Sequence, residues 1–418
     1  MAKSDDEKRC PMNRRLKILF LTNRSPLPIK DGQSRRTYNI LKGLSEKHDV
    51  FLLSLYEAKE ETDPKNIADL KSFCKDVELH PAPSKKPSLP MVSRLLVSLF
   101  SPHPYTVWRH YSRPYVNRIH ELTCALEFDI VHCDTLPISY ALRDVDGKTC
   151  TLTDHDVSYL KALRTAKSHR NPLVALFLFI EAFKLKRLES SIFETVTTGF
   201  AVSELDKSLL QRICPKGRFE VIQNGVDSDT FRPRPEKTEP NKLLWVGGFS
   251  HYANEEAVCF FLQNIYPLLK KGLDGIRLDL VGGGVTKGIR KLASRDTSIR
   301  ILGYVPDPIP YIQASTIFVA PVLSGGGTRL KLLEAMAMGK AIVTTSIGCE
   351  GIGGLHREHY LVADTARSFA ECVFELYEDE KFRRHLGHNA RGLIEKKYDW
   401  KVICQEMNTI YWKLAQIS

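Results

Sequence analysis

Several features are scarce in this chain of 418 residues, and each scarcity excludes a class of protein. The longest apolar run is Leu173–Ile180, far below the roughly 20 residues that a membrane-spanning helix needs. Residues 1–15 (MAKSDDEKRCPMNRR) are polar and charged, without the apolar core of a secretory signal, and read as an extended arm. The ten cysteines include no CxxC pair and no cluster with histidine, so reduced thiols in a cytoplasmic chain are expected rather than disulfides or a zinc site. Zinc-finger spacing, an aromatic RNA-binding signature and a dense basic block are all lacking, so the net charge of +11 is not read as a nucleic-acid footprint. An anionic membrane surface and an anionic diphosphate account for it more economically; a plain solubilising surplus is the alternative. Neither G-x-G-x-x-G nor a P-loop occurs. What remains, at 43% apolar and 26% charged residues, is a soluble globular protein of two or three domains.

Its most informative stretch is 321–351, PVLSGGGTRLKLLEAMAMGKAIVTTSIGCEG. Thr316–Ala320 reads as a buried strand. Gly325, Gly326 and Gly327 then precede a run from Thr328 to Met338 with apolar residues at helical spacing, which Gly339 stops. Ala341–Thr345 is the next strand. Strand, glycine loop, helix and strand make one βαβ unit, with the loop at the C-terminal edge of a parallel sheet. Glycines allow backbone N–H groups to approach a ligand, and a helix N-terminus favours an anion. Arg329 and Lys331 stand at the end of the helix where cations cost a few tenths of a kcal/mol each. A phosphate would outweigh that, since a charge-assisted hydrogen bond contributes roughly 1.5–3 kcal/mol. Glu334 can accept from sugar hydroxyls. A tight turn with two solvated bases is the bland alternative.

The block GGGTRLKLLEAMAMGKAIVTTSIGCEGI resembles the nucleotide-sugar site of retaining glycosyltransferases of family 4, and within them a branch from bacterial exopolysaccharide systems. The resemblance implies the GT-B architecture: α/β, with two Rossmann-like doubly wound domains facing each other across a cleft. Members often carry Glu-x7-Glu, the first Glu meeting the donor sugar and the second the ribose. Glu334 matches the second; the first position is Gly326, a departure that bears on the sugar contact and leaves the nucleotide contact intact.

Leu16–Thr22 and Asp49–Leu55 read as buried strands around a loop and helix containing Gly32. The resemblance places that loop against the donor diphosphate. Residues 57–90, charged and rich in proline, are expected to form a loop excursion. Phe128–Cys133 and Thr149–Thr153 are further strands, the second ending in Asp154-His155-Asp156. As a D-x-D motif this would hold a divalent ion. Asp144-Val145-Asp146 and Asp227-Ser228-Asp229 match the same pattern, so the match is cheap. The resemblance favours a second reading, since members have a similar His or Asp near here: it puts His155, with Asp154 beside it, next to the reacting sugar. Asn171–Glu194 is a helix mixing apolar residues with Lys184, Lys186 and Arg187, suited either to packing on its sheet or to an anionic bilayer.

Val221–Asp227 and Phe231-Arg232-Pro233 resemble the family's crossing into its second domain, where Asp229 is expected to cap a turn. The expected layout is therefore 16–215 for the first domain, 216–242 for the linker region, 243–395 for the second domain, and 396–418 for a helix returning to the first. In the second domain Gly247-Gly248 follows a strand, and Gly282-Gly283-Gly284 follows another. The resemblance assigns the base to the Gly303-Tyr304-Val305 turn. The Arg and Lys that many members carry after the first strand are missing from GGFSHYANEE, and Arg329 and Lys331 are inferred to replace them.

Together these readings anticipate transfer of a hexose from a UDP- or GDP-linked sugar to a hydroxyl of a glycan or lipid-linked acceptor, with retention. Arg329 and Lys331 would stabilise the departing diphosphate with the N–H groups of Gly326, Gly327 and Thr328, without a metal or further cofactor. Gly32, Gly248, Tyr304, Val305 and Glu334 complete the expected nucleotide site. A cytoplasmic location, peripheral on the inner membrane face, is anticipated. A GT-B-shaped nucleotide-sugar epimerase and a non-catalytic nucleotide-sugar-binding scaffold are the rival readings.

Overall fold

The computed structural model describes residues 14–83, 98–143, 145, 147–169, 171–325 and 327–416. Gly326, Asp144 and Asp146 lie outside them, as does most of the N-terminal arm.

Two parallel sheets organise the chain. The first has seven strands in the order β3-β2-β1-β4-β5-β6-β7, drawn from β1 (Lys17–Thr22), β2 (Asp49–Tyr56), β3 (Asp76–Pro81), β4 (Ile130–Cys133), β5 (Thr149–Asp154), β6 (Thr198–Ala201) and β7 (Phe219–Val221). The second runs β10-β9-β8-β11-β12-β13, from β8 (Lys242–Val246), β9 (Arg277–Val281), β10 (Ile299–Gly303), β11 (Ile317–Ala320), β12 (Ala341–Thr344) and β13 (Leu361–Val362). The continuous apolar runs form these strands because helices cover both faces. Ile18, Leu19, Phe20 and Leu21 of β1 are all fully buried, and so are Ile317 to Ala320 of β11. Each sheet carries its own apolar core.

One expectation fails here. The stretch 57–90 is not wholly an excursion: it contributes helix α2 (Pro64–Lys71), after α1 (Gly32–Ser45), and then β3. That strand hides from pattern reading because it lies at the sheet edge, pairs with β2 alone and buries Val77 as its single fully enclosed side chain. An edge position also tolerates Pro81.

The chain crosses between the lobes twice, side by side. Val226 N–H donates to Tyr398 O at 2.8 Å, and Trp400 N–H returns to Val226 O at 3.3 Å. Asp227, rather than Asp229, caps the turn at the first crossing, accepting from the N–H groups of Asp229 and Thr230. Asp229 instead pairs with Lys401. Fully buried Arg36 on α1 ties down the segment between β7 and this crossing, donating to Ile222 O and Gln223 O.

After the second crossing the last helix (Trp400–Ala415) joins the core of the first lobe. Its Ile403, Cys404, Met407 and Tyr411 pack with Ile18, Phe20, Ile40 and Leu44. It lies so close to α1 that any side chain at Gly43 would collide with Cys404.

Candidate active site in the seam between the lobes

In each sheet the strand order reverses beside its first strand: between β1 and β4 in one lobe, between β8 and β11 in the other. Such switch points open a crevice at the C-terminal ends of the strands. The segments that follow β1, β5, β8 and β11 hold most of the residues picked out by sequence.

The glycine loop after β11 sits in the seam. Gly325 (φ +102°) and Gly327 (φ +75°) adopt backbone conformations that disfavour side chains. A side chain at Gly327 would strike the Asp156 carboxylate of the other lobe, and its Cβ would stand 3.8 Å from His155 O. Gly325 O accepts from Arg164 of helix α3 (Ser158–Ser168) at 3.1 Å, and the same guanidinium pairs with Glu350. The following helix starts two residues later than expected, at Leu330, so Thr328 precedes it and Arg329 occupies its N-cap. Gly339 (φ +65°) follows its end. The Thr328 hydroxyl and the Trp245 indole N–H are both buried with no hydrogen-bond partner among the described residues.

Arg329 folds back over its loop, donating to Gly327 O at 3.0 Å and Ser324 O at 3.4 Å. Lys331 takes another route. Its ammonium lies 3.7 Å from the Trp245 ring centroid, donates to Asn254 Oδ1 at 3.0 Å, and comes within 3.2 Å of where a Cβ on Gly247 would stand. Asn254 in turn donates to Gly248 O at 2.8 Å. Thus a lysine from the helix after β11 lies under the loop after β8, which has no Arg or Lys of its own. Removal from water, and secondarily the nearby Arg329, pushes the Lys331 ammonium down to about 7.

Glu334 is occupied. It is 8% exposed, and its carboxylate accepts from Arg35 on α1 of the opposite lobe. Burial lifts the carboxyl above its usual range, and Arg35 offsets part of that. Sequence reading missed Arg35; nothing local marks a helical arginine whose partner lies 299 positions away. Gly32, one turn earlier, does face the other lobe: a Cβ there would come 2.8 Å from Leu330 Cδ1.

His155 and Asp154 part company. The His155 ring, 17% exposed, places Nε2 2.6 Å from Asp134 O and 3.6 Å from Asp134 Oδ2. That buried carboxylate also accepts from Thr37 and lies 3.8 Å from His132 Nε2. Burial acts to raise the Asp134 carboxyl, but the two histidines outweigh it and hold it below the usual carboxylate range. Asp154 is 3% exposed and meets Glu189 of helix α4 (Pro172–Phe193). Burial raises both carboxyls, and Glu189 raises Asp154 further. Its expected place beside a reacting sugar is therefore corrected: the last residue of a strand buried along its whole length faces packed helices, not the seam. The divalent-ion reading of the same motif also loses its geometry, because Asp156 turns to Lys161 and Gly327 while Asp154 turns to Glu189.

At the far edge of the second lobe, Tyr304 is 78% exposed and Val305 packs partly into the core. Gly282 N–H donates to Gly303 O at 2.8 Å and Phe249 N–H to Gly283 O at 2.8 Å, so the three loops after β8, β9 and β10 form one connected ledge. A Cβ on Gly248 would meet nothing closer than His251 at 3.9 Å, which leaves that residue open to an approaching group.

With this geometry, the family comparisons are consistent across the chain. A model described as Glycosyltransferase Family 4 matches residues 30–230, and one described as Glycosyl transferases group 1 matches residues 240–379. An uncharacterized 44.6 kDa protein in the cps region of Klebsiella pneumoniae is 25% identical over 408 residues, 93% of this chain and 97% of its own. The capsular polysaccharide biosynthesis glycosyltransferase CapM of Staphylococcus aureus is 21% identical over 248 residues, 55% of this chain and 65% of CapM. The phosphatidyl-myo-inositol mannosyltransferase of Mycobacterium leprae is 25% identical over 276 residues, 61% of this chain and 70% of that one. Among solved structures, sucrose-phosphate synthase from Thermosynechococcus elongatus superposes with a TM-score of 0.72 at 17% identity, covering 97% of this chain and all of that one (100%). HepE from Anabaena, in complex with UDP and glucose, superposes at 0.67 and 15% identity, covering 96% and 100%. At such identities the structural likeness speaks to fold, and the fold is GT-B.

Proposed function

We propose, from the premise that this chain is a family 4-like glycosyltransferase, that it moves a hexose from a nucleoside diphosphate sugar to a hydroxyl of a glycan or lipid-linked acceptor, with retention, in polysaccharide or glycoconjugate synthesis. One observation carries this reading. The glycine loop at the head of the Leu330–Ala337 helix lies against the His155-Asp156 strand end of the opposite lobe, so an anion on the loop and a sugar beside His155 would be neighbours.

In this reading the diphosphate lies on the N–H groups of Gly327 and Thr328, with Arg329 and Lys331 supplying positive charge. The ribose replaces Arg35 at Glu334, and the base rests on the ledge by Gly248, Tyr304 and Val305. The bond between the anomeric carbon and the diphosphate oxygen breaks, and both electrons leave with the diphosphate. The acceptor oxygen bonds to the same face of the sugar, and its proton passes to a leaving phosphate oxygen. His155, its Nε2 fixed by Asp134 O, offers its other ring nitrogen to a sugar hydroxyl. Lobe contact excludes water that would otherwise hydrolyse the donor.

The test is a panel of UDP- and GDP-linked sugars, scored by thermal midpoint and by release of nucleoside diphosphate. One donor should raise the midpoint by mass action and turn over, and Glu334→Ala and Lys331→Ala should each abolish both effects. Binding that survives both substitutions would put the nucleotide elsewhere. The product's anomeric configuration, read by NMR, tests retention.

A further inference from the structure

Among the described residues, large exposed apolar side chains concentrate on one helix. Along α4, Leu173 is 76% exposed, Leu176 58%, Phe179 43% and Phe183 64%. Their spacing of three to four residues puts them on one face, and Phe179 and Phe183 pack ring to ring at 5.2 Å. Beside them Lys184 is turned inward, donating to Ser98 O and Leu99 O; this holds Phe100, 91% exposed, next to the helix.

The charges are sorted as strictly as the apolar groups. Glu181 and Glu189 are 5% and 0% exposed, each bound by backbone N–H groups of the lobe interior, at Tyr105 and Ser158 respectively. Lys186 and Arg187 point outward just past Phe183. The outer face of α4 thus presents apolar groups and cations without an exposed carboxylate until Glu194, past its end. A helix that only covered its own sheet would turn these aromatics inward and its acids outward. No helix among the described residues is long and apolar enough to cross a membrane.

We propose that this face of α4 is a docking surface for an anionic lipid bilayer, with Leu173, Leu176, Phe179, Phe183 and Phe100 entering the headgroup boundary and Lys186 and Arg187 meeting lipid phosphates. An interfacial helix has this division of apolar and basic groups, and basic residues near an anionic surface add to its attraction. The surface also has a direct route to the donor site. Helix α3 forms the other leg of the same hairpin, and its Arg164 holds Gly325 O and Glu350. From Arg164 to the turn before Leu173 is about 7 Å of helical rise. Docking would therefore hold the seam close to the lipid surface, which deepens the reading of a lipid-linked acceptor and rests on that reading only for its purpose, not for its occurrence.

The full chain is sedimented with vesicles of phosphatidylcholine alone and of phosphatidylcholine with a quarter phosphatidylglycerol. The wild type should pellet with the anionic vesicles and much less with the neutral ones. Phe179→Asp with Phe183→Asp should weaken binding tenfold or more, and Lys186→Glu with Arg187→Glu should remove the preference for anionic lipid. Nucleoside diphosphate release, assayed without vesicles, should be unchanged in both variants. If the wild type stays in the supernatant, or the Asp variant pellets equally well, the proposal falls. A wild-type dimer that the Asp variant dissolves, without vesicle binding, would assign the face to a second copy and overturn it. Because donor turnover is scored separately, loss of the glycosyl-transfer reading leaves the vesicle result standing, and the reverse.

Discussion

Lys331 carries the sharpest consequence at the scale of single residues. With its ammonium lowered from an ordinary 10.5 to about 7, the folded chain binds fewer protons than the unfolded one between those values. Its contribution to stability therefore rises with pH across that window, and its destabilising effect is complete below about 7. A diphosphate alongside would restore the charge, so binding above pH 7 must draw in a proton. Calorimetry in buffers of different ionisation enthalpy should find uptake approaching about one proton per nucleoside diphosphate at pH 8, where the diphosphate is itself almost fully ionised; no uptake at pH 8 would place the diphosphate away from Lys331. Arg35 gives a second prediction. It holds the carboxylate that would take the ribose in the proposed reading, through a pair whose arginine is 35% exposed. An ion pair so screened is worth about 1 kcal/mol at most, so Arg35→Ala should tighten nucleoside diphosphate binding by about three- to fivefold. Weaker binding would instead make Arg35 a ligand of the donor. Neither residue's setting was legible in sequence. The loop glycines and Glu334 were, because their signal is local, whereas Trp245, Asn254 and Arg35 reach the site from distant segments. The missing Arg and Lys after β8 gave a hint that another cation fills that place.

At the scale of elements, helix α1 and the last helix depend on a single missing side chain. Gly43 admits Cys404, and nothing else at that position fits. Overpacking in a close helix contact costs roughly 1–3 kcal/mol, so Gly43→Val should lower the thermal midpoint by several degrees, and Gly43→Val with Cys404→Ala should recover part of that loss. Most strands were legible because a parallel strand between helices is apolar along its length, as Leu243–Val246 and Ile317–Ala320 are. Strand β3 was not, since an edge strand with one enclosed side chain carries no such run. Asp154 was misplaced for a related reason. Position at a strand's end was visible, but which way the side chain leaves a strand buried on both faces depends on helices packed later in the chain.

Over the whole molecule, the last helix makes the first lobe incomplete without residues that follow the second. Tyr411 is fully buried against Phe200 and His132, and Trp400 and Ile403 close around Gly225. A chain ending at Tyr398 should leave this core open and be recovered insoluble, whereas adding the peptide 399–418 in trans during refolding should restore soluble protein and ellipticity. Two lobes and their order could be inferred from the spacing of strands and glycine loops; their mutual contacts through Arg35, Arg164 and Asp156 could not. The paired crossings at Val226 and Tyr398 carry one more implication. A body fastened to another at two neighbouring points can swing about the line joining them but cannot slide past it or spin freely, like a door on two pins. The seam then opens as a wedge, widest away from those pins, and a donor would enter from that side.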